Sequence, residues 1–120
     1  MENKARLLVI DDEAGLLKLV RRQAERRGIE VIEAETGRAG LDAAIAESPQ
    51  LILLDLHLPD MSGLKLLQAL KADPRTTHIP VVAWSGGDVE VGSQLMGVCA
   101  YFDKADLRQV FDQIFALMPK

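Results

Sequence analysis

Cys99 is the only cysteine, so no internal disulfide framework can hold this chain together. A lone thiol fits a reducing compartment. Aromatic residues are scarce: one Trp, one Tyr and three Phe. The core must therefore be built mostly from Leu, Ile, Val and Ala. Basic charge is not in excess, because 14 Lys and Arg face 18 Asp and Glu for a formal net charge of −4. A nucleic-acid surface needs a basic stripe, so direct nucleic-acid binding is not expected. No apolar run approaches the ~20 residues of a membrane-spanning helix. The opening Met-Glu-Asn-Lys-Ala-Arg also lacks the apolar centre of a signal peptide. These absences lead to the expectation of a soluble cytoplasmic protein, and 120 residues suit one domain.

Short apolar runs alternate with helical patterns. Leu7 to Ile10 reads as a buried strand. Leu16, Leu17, Val20 and Ala24 then recur at helical spacing, with Gly28 as a stop. Glu30 to Ala34 is half polar and suits an edge strand. Thr36 is placed to cap a second helix with Leu41, Ala44 and Ile45 on its apolar face, closed by Pro49. Leu51 to Leu54 is a third strand, and Pro59, Asp60 and Gly63 mark a loop. Leu66, Leu67 and Leu70 form a third helix that ends at Asp73-Pro74. Val81 to Trp84 is a fourth strand ending at Ser85-Gly86-Gly87. Asp88 to Val98, with its glycines and valines, supports only a short or weak helix. Ala100 to Phe102 is a brief fifth strand. Asp106, with Gln109 three residues on, can cap a last helix whose stripe is Leu107, Val110, Phe111, Ile114, Leu117 and Met118. This alternation predicts an α/β fold with parallel strands and helices on both faces.

Such sheets bind ligands beyond the carboxyl ends of their strands. Polar residues stand there: Asp11 and Asp12 after the first strand, Asp55 after the third, Ser85 after the fourth and Lys104 after the fifth. Carboxylates a few ångströms apart cannot all stay ionised cheaply without a counter-charge. An all-oxygen set without His or Cys favours Mg²⁺ over zinc. Mg²⁺ in such sites commonly works with a phosphoryl group. Asp55 is then a candidate nucleophile that becomes an aspartyl phosphate. Lys104 offers a positive charge, Ser85 a hydroxyl, and the turn at Gly86 and Gly87 its amides.

The motifs VIDDE, LILLDLHLPDMSG, VVAWSG and YFDK resemble, in order and spacing, the receiver domain of two-component response regulators. The match covers essentially the whole chain. It implies a CheY-like sheet of order 2-1-3-4-5 and one receiver domain over residues 1–120, with no effector domain in this chain. It implies that Asp55 accepts a phosphoryl group from a phosphohistidine on a histidine kinase or histidine phosphotransfer protein. Asp12, Asp55 and the backbone carbonyl of His57 would ligate Mg²⁺, with Asp11 acting through water. Lys104 would contact the phosphoryl group, Ser85 would bond to it, and the Tyr101 ring would turn inward. Affinity for a downstream protein target would change on the face of the fourth helix, fifth strand and fifth helix, where a homodimer is also possible. The chain would then be a signalling module rather than an enzyme acting on an external substrate.

Two features depart from that pattern. Ala105 follows Lys104 where proline is usual, so a trans Lys104–Ala105 bond and a looser loop are expected. The stretch from Ser85 to Lys104 is about one helical turn short, so a shortened fourth helix is expected. These departures keep open an alternative: a degenerate receiver that binds proteins constitutively without phosphoryl turnover. A flavodoxin-like cofactor binder would need a phosphate loop where Asp11, Asp12 and Glu13 would repel phosphate. A dehalogenase-type phosphatase would carry a second aspartate where His57 stands. Arg21, Arg22, Arg26 and Arg27 read as a solvated face, although in this family the first helix often docks on the phosphoryl donor. His57 is expected at the rim of the site, His78 in a loop and Cys99 as a small buried residue.

Overall fold

A computed structural model describes residues 4–86, 97–105 and 107–118, without the side chains of residues 107 and 108. The elements run β1 (Arg6–Ile10), α1 (Ala14–Arg26), β2 (Glu30–Ala34), α2 (Gly37–Glu47), β3 (Leu51–Asp55), α3 (Gly63–Ala72), β4 (Val81–Ser85), β5 (Val98–Asp103) and α4 (Leu107–Ala116). The five strands form one parallel sheet in the order β2-β1-β3-β4-β5. Both β3 and β4 are buried along their whole length, as strands covered on two faces must be. β2 is an edge strand with a half-exposed pattern, as its mixed composition predicts.

Strand alternation divides the core between two layers. Leu7, Val9, Leu51, Leu53, Val82 and Trp84 pack under α1 and α4. Leu8, Ile10, Ile52, Leu54 and Val81 pack under α2 and α3. Full burial of each such aliphatic side chain is worth ~1.5–3 kcal/mol. The helix starts follow their caps. Thr36 accepts the Ala39 amide at 3.0 Å, and Ser62 accepts the Lys65 amide at 3.2 Å.

Two expectations are overturned. Leu117 is 40% exposed, not part of the buried stripe. Its residue lies past the end of α4, where helical spacing no longer sets its direction; Phe115 is buried instead. Cys99 is exposed rather than buried. Val81 pairs with Val98 and Val82 with Ala100, so Cys99 is the extra residue of a β-bulge on an edge strand. The shortened fourth helix and the Asp106 cap lie outside the described residues. Among the described residues, no helix is long and apolar enough to cross a membrane.

Candidate functional site

The parallel register aligns the strand ends. Ile10 lies beside Ala34 and Leu54, Asp55 beside Trp84, and Ser85 beside Asp103. Asp11, Asp55, Ser85 and Lys104, at or just past these strand ends, therefore stand around one crevice. Asp11 is fully buried there; its amide donates to the Ala34 carbonyl at 2.9 Å, and its Oδ1 accepts the Glu13 amide at 3.0 Å. Its buried Oδ2 stands 2.7 Å from Lys104 Nζ, an ion pair inside the crevice. Asp12 is exposed at the mouth. One carboxylate oxygen from each of Asp11, Asp12 and Asp55 lies within 4.8 Å of the others.

Asp55 is 3% exposed. One oxygen accepts the His57 amide at 3.0 Å, and the other lies 3.4 Å from Lys104 Nζ. Burial pushes the Asp55 carboxyl above the usual carboxylate range, and the charge of Asp11 adds to that. The His57 amide and Lys104 oppose the rise without cancelling it. For Lys104, burial works against the charge, yet Asp11, Asp55 and Glu13 together hold its pKa above the ordinary lysine value. Lys104 is therefore a firm cation, surrounded by more negative charge than it can neutralise. Glu13, 3.3 Å from Nζ, is a partner that sequence reasoning left without a role. The two residues are 91 positions apart, and only the fold brings them together.

Ser85 is fully buried, and its hydroxyl shares a 2.9 Å hydrogen bond with the Tyr101 hydroxyl. The Lys104 amide donates to the Ser85 carbonyl at 3.0 Å, which ties the fifth turn to the fourth. The Lys104–Ala105 bond is trans, as expected. The Ala105 amide donates to Asp103 Oδ1 at 2.9 Å, a bond that proline could not make.

The turn after β3 is braced from outside the crevice. His57 and Ser62 form an antiparallel bridge. Asp60 accepts the Gly37 and Arg38 amides at 2.7 and 3.0 Å, and these amides hold its carboxyl below the usual range. Gly63 is required by close approach: a Cβ there would lie 2.5 Å from the Asp55 carbonyl oxygen. The His57 side chain is exposed at the rim, and His78 lies exposed in the loop after α3. A cleft of about 450 Å³, lined by Arg27, Gly28, Phe115 and Met118 among others, opens at the opposite, amino-terminal end of the strands. On α1, Arg21 pairs with Glu33 and Arg27 with Asp112, while Arg22 and Arg26 are exposed.

The donor set suits a hard divalent cation. It is all oxygen, its three carboxylates converge, and the exposed Asp12 leaves room for the waters that Mg²⁺ keeps. The same crevice offers a buried carboxylate beside an ammonium, the combination needed to receive an electrophile and neutralise the charge it brings.

The family described as the response regulator receiver domain matches residues 7–111. The chain is similar to the polar-differentiation response regulator DivK of Brucella ovis, with 39% identity over 77 residues, 64% of this chain. It spans only 63% of the length of that curated relative. Among solved structures, it resembles a CheY-like response regulator receiver domain from Methanospirillum hungatei JF-1, with 28% identity and a TM-score of 0.79. That match covers 95% of this chain and 93% of the other. It also resembles the phosphorylated cyanobacterial phytochrome response regulator RcpA, with 26% identity, a TM-score of 0.78 and coverage of 96% and 91%.

Proposed function

Because the chain belongs to the response regulator receiver domain family, we propose that it is a phosphorylation-dependent switch that accepts a phosphoryl group on Asp55. The observation that carries this reading is the cluster itself: three carboxylates within 4.8 Å, with Lys104 Nζ 3.4 Å from the buried Asp55. The donor is a phosphohistidine on a kinase or phosphotransfer protein. An Asp55 oxygen attacks phosphorus, an O–P bond forms, the N–P bond breaks, and its electron pair returns to the donor imidazole. Asp12, Asp55 and the His57 carbonyl would hold Mg²⁺, with Asp11 acting through water. When bound, Mg²⁺ offsets negative charge on the carboxylates and on the incoming phosphoryl oxygens. Lys104 neutralises a further part of that charge.

The readout begins at Ser85. Its hydroxyl is committed to Tyr101 in the unphosphorylated protein. A phosphoryl group adds charge and strong acceptor oxygens. Ser85 turns to donate to it, Tyr101 loses its partner, and the ring is free to move inward. The Ser85–Tyr101 bond is thus the two-state element that phosphorylation biases. A downstream protein then reads the altered surface around β5 and α4. The chain carries out chemistry only on itself.

The test is intact mass after incubation with acetyl phosphate, with and without Mg²⁺, for the wild type and Asp55→Asn. The expected result is a Mg²⁺-dependent gain of one phosphoryl group in the wild type and none in the variant. No gain in folded wild type would sink this reading and leave the constitutive binding module.

A further inference from the structure

Lys104 enters the crevice from the end of an edge strand, on a turn made by Asp103 and Ala105. Its four-carbon stem is flexible, and its ammonium is a compact charge that follows the nearest anions. Three carboxylates compete for it: Asp11 at 2.7 Å, Glu13 at 3.3 Å and Asp55 at 3.4 Å. Asp11 and Asp55 lie inside the crevice, whereas the Glu13 side chain is 63% exposed.

Trp84 supplies a second constraint. Its ring is fully buried and stands with its face toward Lys104 Nζ, 5.3 Å from ring centroid to nitrogen. Packing alone fixes the ring. Phe111 of α4 stands against it at 6.4 Å with a 59° tilt, and Nε1 is buried with no acceptor among the described residues. The Lys104 side chain is only 11% exposed, so the ammonium meets the ring largely out of water, where cation–π attraction is strongest.

We propose that Trp84 is a positioning residue, whose indole face fixes the Lys104 ammonium in the crevice, within reach of Asp11 and Asp55. Its consequence for phosphorylation rests on the function proposed above. The contact itself belongs to the unphosphorylated protein and can be read there.

The test is a double-mutant cycle on the rate of phosphorylation by acetyl phosphate with saturating Mg²⁺. Trp84→Leu is expected to lower the rate roughly fivefold to thirtyfold, the span from an exposed to a desolvated cation–π contact. Trp84→Phe, which keeps a ring face, should recover most of that loss. In a Lys104→Met background, Trp84→Leu should leave the residual rate unchanged. Equal losses for Leu and Phe, or a full loss persisting in the Lys104→Met background, would overturn the proposal.

A second readout needs neither phosphorylation nor a Trp84 variant. Trp84 is the only tryptophan, so Lys104→Met should shift its emission, while Lys18→Met on the exposed face of α1 should not. Unchanged emission in Lys104→Met overturns the proposal even if Trp84→Leu does not fold. If the wild type takes up no phosphoryl group, the functional reading fails, and this emission result alone decides the contact.

Discussion

Asp55 and Asp11 are two buried carboxylates beside the Lys104 ammonium, and burial makes ionised Asp55 costly. The sign follows from linkage. A carboxyl whose pKa is raised in the folded state binds more protons there than in the unfolded chain. Stability therefore falls as pH climbs from the ordinary carboxylate range through the raised Asp55 pKa. Asp55→Asn removes that cost. Without divalent cations at neutral pH, the variant should be more stable than wild type, with a higher Tm. The advantage should vanish in acid, where wild-type Asp55 is neutral too. Paired thermal melts across pH, in EDTA, check this; a variant less stable at neutral pH would contradict it. Residues at this site were legible where chemistry coincided with chain position. Asp11, Asp12 and Asp55 each follow an apolar run, and the fold gathers all three. Trp84 was legible only as the last residue of the fourth strand before Ser85, because its contact is to a lysine in another turn, and periodicity carries no information on that.

The junction of β3 and α3 joins the acceptor carboxylate to a helix. Gly63 opens α3 against the backbone of Asp55 and Leu56, at distances that no side chain tolerates. Gly63→Ala must push the helix start away or shift Asp55. A loss of about 1–3 kcal/mol is expected, the usual cost of overpacking. Denaturant titration gives the stability, and Mg²⁺ titration of the same variant should show weakened binding. A variant that binds Mg²⁺ like the wild type would show that the acceptor had not moved. Most elements were legible because apolar runs, helical spacing and Gly or Pro stops agree along this chain. The errors fall where regularity breaks. Cys99 sits in a bulge that a simple alternation cannot reveal, and Leu117 lies one residue beyond the last helical turn.

Across the whole molecule, a divalent cation bound by residues from two strand ends should act as a clasp on the fold. A ligand that binds only the folded state adds about 2.7 kcal/mol at a hundredfold excess over its Kd. MgCl₂ should therefore raise the wild-type Tm in a concentration-dependent way and leave Asp12→Asn nearly unmoved. A thermal shift series settles this, and equal shifts in both proteins would point to binding elsewhere. The strand order also governs when the crevice becomes balanced. β1 lies between β2 and β3 and gains both neighbours once residue 55 has been made. Lys104 comes almost fifty residues later in the chain, at the end of the far edge strand. A chain still being synthesised can thus assemble β2, β1 and β3 with Asp11, Asp12 and Asp55 facing one another and no lysine between them. During that interval the three carboxylates depend on protons or a captured cation, and the last fifth of the chain brings the protein's own counter-ion to a site already built.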